Sequence, residues 1–163
     1  MTKEALRPVF RNFRRIFIYL GTSYELSGTE NTSGKGVAVT GVELTPENSG
    51  SIYNTLSLDV DQCNIVVLHG QESEYSARDK AEIIHLTALK NKGIDYLALG
   101  HIHSYKQERL DARGVYCYPG CLEGRGFDEC GEHGFVMLDI DELTGTIDST
   151  FIPFASRKLY TIP

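Results

Sequence analysis

Two short runs constrain this chain more than any other feature: residues 64–68 (NIVVL) and 96–99 (YLAL), each almost wholly apolar and each followed at once by glycine and histidine. Runs this short cannot cross a membrane. They also lack the apolar-polar alternation of a strand with one wet face, so they read as strands buried on both faces. Strands of that kind belong to sheets with both faces covered, which points to an α/β fold. Between the two runs, Ser76 and Asp79 form an S-x-x-D capping pair ahead of Ile83, Ile84, Leu86, Ala88 and Leu89, and Gly93 supplies a stop. This spacing predicts a helix over 76–92. Strand, helix, strand is then a βαβ-like crossover.

The flanks add weaker signals. Residues 3–13 read as a short helix with Leu6, Val9, Phe10 and Phe13 on one face. Residues 15–20 and 37–44 read as strands, and Thr45-Pro46-Glu47-Asn48 opens a turn and a short helix through Ile52 and Leu56. Beyond Ser104 the pattern turns strand-rich, with candidates at 105–110, 115–118, 135–140 and 146–152. The length of 163 residues suits one domain, and 41% hydrophobic with 23% charged residues excludes disordered and collagenous classes.

Charge and cysteine usage narrow the partners. Net charge is −6, yet residues 1–15 carry Lys3, Arg7, Arg11, Arg14 and Arg15 against Glu4, leaving an acidic body that argues against broad phosphate-backbone binding. The basic segment reads as a solvated helix face, with a nucleic-acid contact the alternative. The N-terminus has no apolar core behind its basic residues and no run approaches a membrane span, so a cytoplasmic location and no membrane partner are expected. Cys63, Cys117, Cys121 and Cys130 contain no C-x-x-C pair and are expected to be reduced; they read as structural or incidental thiols, with a metal or redox role the alternative.

The histidines carry the functional argument. His69 ends the first apolar run, and His101 and His103 follow the second in Gly100-His101-Ile102-His103. Ligands of open α/β sheets bind past the carboxyl ends of strands, so three imidazoles are expected in one crevice there. In an extended strand, residues two apart face the same side, which would aim His101 and His103 together. Neutral imidazole suits manganese, zinc and iron. His85, inside the expected helix, reads as a surface residue, and His133, in a glycine-flanked turn, as structural.

Taken together, VVLHG at 66–70, ALGHIH at 98–103 and YPGCLEGRGFDECGEHGF at 118–135 resemble the calcineurin-like metallophosphoesterases, and within them the SbcD-like DNA-repair exonuclease branch. The resemblance spans 64–140, about half of the chain. It implies the C-terminal half of an αββα sandwich, with mixed β-sheets and flanking helices. It also implies a dinuclear centre of two divalent ions, manganese above zinc or iron, with His69 and His101 on one ion and His103 on the other. The implied chemistry is two-metal hydrolysis of a phosphoester. The implied partners are a phosphoester substrate, DNA in the nuclease branch, and an SbcC-like ATPase.

The family's Asp-x-His, Gly-Asp and Gly-Asn-His-Asp motifs do not occur in this sequence. Residues 1–163 are therefore expected to form a single incomplete domain, inactive alone, with the catalytic groups in the absent half. Three histidines shared between two ions leave each with one or two ligands, so weak or absent metal binding is expected. Apolar surface left at 15–20 and 64–68 would favour a homodimer. Two other readings compete. A non-catalytic interaction module could keep this half of the fold. A cupin would match His101-x-His103 followed by Glu108, with Gly114 and Pro119-Gly120 further on, although a helix directly before that motif has no place in a jelly roll.

Overall fold

The computed structural model describes residues 14–16, 36–41, 44–45, 47–72, 83–124, 126–141 and 143–160. In chain order the elements are β1 (Arg14–Ile16), β2 (Val37–Gly41), α1 (Ile52–Thr55), β3 (Cys63–His69), β4 (Gln71–Glu72), β5 (Ile83–Ile84), α2 (Leu86–Leu89), β6 (Tyr96–Gly100), β7 (Lys106–Arg109), β8 (Val115–Tyr118), β9 (Gly134–Asp141) and β10 (Thr146–Pro153). The class is mixed α/β with a mainly parallel sheet and few helices. The helix expected at 3–13 lies outside the described residues.

The central sheet runs β2-β3-β6-β8-β7, with every pairing parallel except β7 with β8. Its three inner strands follow the period of two expected of pleated backbone. Val66 and Leu68 of β3, Leu97 and Leu99 of β6, and Tyr116 and Tyr118 of β8 pack into one cluster with Ile52, Ile84, Leu89 and Ile94. Their neighbours Cys63, Ile65, Tyr96, Ala98 and Cys117 point the other way, into a second cluster with Leu138 and Ile140 of β9. Strands with apolar residues on both faces thus feed two cores. One lies under the short helices, and the other lies between the central sheet and the antiparallel sheet β1-β9-β10.

Two expectations change here. The helix over 76–92 is replaced, where the chain is described, by two residues of strand and a single helical turn: β5 pairs in parallel with β4, Gln71 opposite Ile83 and Glu72 opposite Ile84, before α2. Adjacent β-branched isoleucines favour extended backbone, and Ile84 is fully buried from that strand. The helix ends because Lys90 is extended and Asn91 takes a φ of 60°. The capping pair Ser76 and Asp79 lies outside the described residues. His85 accordingly precedes the helical turn instead of lying inside a longer helix.

The second correction concerns the premise for a homodimer. Asn64, Ile65, Val66 and Leu68 are at most 2% exposed, because the β9 side chains cover one face of β3 and the α1 and α2 side chains cover the other. The strand expected at 15–20 is described only as β1, with residues 17–20 outside the described residues. Among the described residues no helix is long and apolar enough to cross a membrane. No disulfide joins the four cysteines, all of which are described, and burial pushes the Cys117 thiol pKa up, as suits a structural thiol.

Candidate metal centre

Parallel pairing of β3 with β6 sets His69 opposite Gly100, and the Gly70 amide donates to the Gly100 carbonyl at 3.2 Å. That register puts His69 and His101 side by side at the carboxyl ends of neighbouring strands. Their rings meet edge to face, with centroids 5.5 Å apart and planes at 86°. β6 stops at Gly100, so His101 is not a strand residue. It holds a φ of 101°, a conformation that a side chain rarely adopts and that costs on the order of 1–3 kcal/mol. The strand alternation expected to aim His101 and His103 together therefore does not operate.

His103 has other neighbours. Its Nδ1 lies 2.5 Å from Glu129 Oε1, with the histidine half exposed and the carboxylate largely covered. Cys121 Sγ, His103 and Glu129 place one potential ligand atom each within 4.8 Å of one another. No other group of three such residues occurs among the described residues, so neither a carboxylate nor a thiol completes a trio with His69 and His101. His133 is 5% exposed; its Nδ1 lies 3.2 Å from Cys121 Sγ and its Nε2 lies 3.0 Å from the Glu129 carbonyl. Of the three histidines expected in one crevice, His69 and His101 are in ring contact, and His103 has Glu129 and Cys121 as neighbours.

Sequence reasoning assigned no role to Glu129 and read Cys121 and His133 as structural or incidental. Cys121 and His133 stand twelve residues apart, which matches no short ligand spacing. Their one signal was position, since all three fall in the glycine-rich segment 120–134 directly after a buried strand.

A second polar cluster occupies the edge of the central sheet. Buried Glu72 accepts from Lys106 Nζ and, at 3.1 Å, from the Tyr116 hydroxyl, which also reaches Glu108 Oε2. The bond to Glu72 holds the Lys106 pKa above its ordinary range. Burial, followed by the Glu108 contact, raises that of Tyr116. A cleft of about 300 Å³ opens there between Leu86, Lys90, Arg109 and Tyr116. Glu108, the carboxylate of the cupin spacing, belongs to this cluster, and a mainly parallel sheet is not a jelly roll.

The donor chemistry fits the ions that the family resemblance implies, as far as it extends. Two adjacent imidazoles suit a borderline divalent ion, and a third imidazole stands beside a carboxylate and a thiol. Comparison of the chain with protein-family models and with curated proteins finds no match to either.

Proposed function

We propose that this chain carries the C-terminal half of a metallophosphoesterase-type αββα sandwich and serves metal-dependent hydrolysis of phosphoesters, phosphodiesters of DNA among them. The observation that carries the reading is the His69–His101 ring pair, set by the β3–β6 register at the carboxyl end of a parallel sheet, with His101 in strained backbone. Three successive layers support it further: short helices, the central sheet, and the antiparallel sheet packed on it.

In this reading His69 and His101 hold one divalent ion and His103 holds the second. Bound as a pair, such ions supply positive charge to polarise a phosphoester and stabilise the charge that develops as it breaks. The chain's own contribution is position. The β3–β6 register holds the two rings at one height, and Glu129 fixes the tilt of the His103 ring through Nδ1. With two imidazoles, the His69–His101 end binds an ion weakly until further ligands arrive from a segment bearing the Asp-x-His, Gly-Asp and Gly-Asn-His-Asp motifs.

The test joins this chain to such a segment. The joined protein is expected to hydrolyse an aryl phosphodiester in the presence of manganese and to lose that activity on His101→Ala, while the 163-residue chain alone shows little turnover. A folded joined protein without activity would overturn the proposal.

A further inference from the structure

Metal-ligand geometry recurs in this molecule around His103, in donors that the phosphoester reading does not assign to an ion. Cys121, Glu129 and His133 come from one glycine-rich segment, and backbone bonds fasten that segment to His103. The Cys121 amide donates to the His103 carbonyl at 3.1 Å, and the Gly134 amide donates to the Cys121 carbonyl at 3.2 Å. The His133 carbonyl in turn accepts from the amides of Phe154 and Ala155 at 2.9 and 3.1 Å. The backbone on either side of each donor is therefore set before any ligand arrives.

Two glycines permit this approach. Gly120 has a φ of +81°, and a Cβ there would lie 2.8 Å from the His103 carbonyl oxygen. At Gly124 a Cβ would stand 3.0 Å from both His133 Nε2 and the Glu129 carbonyl oxygen, inside the bond that orients the imidazole.

The orientation of His133 decides its chemistry. A carbonyl oxygen only accepts, so His133 Nε2 carries the proton that it donates to Glu129, and Nδ1 faces Cys121 Sγ with its lone pair. A ring N–H given to a backbone carbonyl, which leaves the other nitrogen's lone pair available, is the usual posture of a metal-ligating histidine. The same Cys121 sulfur lies within 4.8 Å of a ligand atom of His103 and of one of Glu129, so Cys121 is the donor that links His133 to the other two.

We propose that Cys121, His133, His103 and Glu129 form a mononuclear zinc site. Sulfur and nitrogen donors in a set of four select zinc over the harder manganese. On binding, the Cys121 thiol gives its proton to solvent and coordinates as thiolate. The earlier expectation of weak or absent metal binding counted histidines alone, whereas the fold adds a thiol and a carboxylate beside His103 and a fourth histidine beside that thiol. The site shares His103 with the phosphoester reading but needs none of that reading's absent ligands, so either can fail without the other.

The test titrates the metal-free 163-residue chain with cobalt(II) and then displaces the cobalt with zinc. One equivalent is expected to bind, with the near-ultraviolet charge-transfer band of a cobalt–thiolate bond. Cys121→Ala is expected to abolish the band, and His133→Ala to weaken binding about tenfold or more. Cys130→Ala should leave both the band and the affinity unchanged. A band that survives Cys121→Ala, or that disappears with Cys130→Ala, would overturn the site. X-ray absorption on the zinc-loaded wild-type chain removes any dependence on variants that fail to fold. One sulfur among nitrogen and oxygen neighbours supports the site, and a shell without sulfur overturns it.

Discussion

The two ends of the central sheet differ in how their polar groups are used. At the amino end, the Asp95 carboxylate receives Arg113 Nε and Nη2 at 2.8 Å each and the Asn64 amide at 2.8 Å. Arg113 also donates to the carbonyls of Val60 and Gln62, and Asn64 Nδ2 donates to those of Asp59 and Gly93. Charges there are matched to fixed backbone partners, and the result is a clamp across the loops that enter β3, β6 and β8. At the carboxyl end the polar groups are imidazoles, a thiol and a carboxylate, set against one another with His101 in strained backbone. One end ties charge to backbone, and the other gathers potential ligand atoms against one another. This is the division expected of parallel sheets whose ligands bind past the strand carboxyl ends.

The sharpest way to break this comparison is to remove the clamp. Asp95→Ala strips Arg113 and the Asn64 amide of their acceptor and is expected to cost about 3 kcal/mol, since each hydrogen bond to a charged group contributes roughly 1.5–3 kcal/mol. Urea unfolding measures the loss. Cobalt stoichiometry in the folded variant should stay at one, and a joint loss of stability and metal would erase the distinction between the ends.

Asp111 tests the same end through pH. Burial alone would raise its pKa, but the amides of Gly114, Asn91 and Arg113 together bring it below the ordinary 3.8. A carboxylate with a depressed folded pKa stabilises fully above its unfolded value and loses that contribution as pH falls through the folded one. Asp111→Ala is therefore expected to cost about 2 kcal/mol near neutrality. Its deficit against the wild type should close as pH drops below 3.8; a deficit that persists in acid would assign the effect to packing.

At the carboxyl end the sign should reverse. His101→Gly relieves the φ of 101° while adding chain entropy to the unfolded state, and the balance is a gain of up to about 1 kcal/mol in thermal or urea unfolding. A loss instead would mean that the ring contact with His69 outweighs the strain. The smallest effect is expected from Cys121→Ala without metal, within about 0.5 kcal/mol, and calorimetry of the metal-free chain checks it. A large loss would show that this thiol holds structure before it holds any ion.

The sequence by itself determined the strands of the central sheet and the β9–β10 pair. Residues 64–68 and 96–99 could be read as doubly buried because continuous short apolar runs have few other stable uses, and β8, β9 and β10 followed from their turns and periodicity. The carboxyl-end position of His69 and His101 followed from the same reading. What misled it was local pattern without register. The spacing of Ile83, Ile84, Leu86, Ala88 and Leu89 is consistent with a helix, yet the buried slot beside Gln71–Glu72 took the first two as strand. Only the tertiary structure decided which donors meet, because the Cys121 amide bonds the His103 carbonyl, the Glu129 carboxylate meets the His103 ring and His133 meets the Cys121 sulfur, all across loops. Hydrophobic periodicity records which face of an element is covered, whereas a ligand set is defined by distances across loops, which exist only once the sheets have packed.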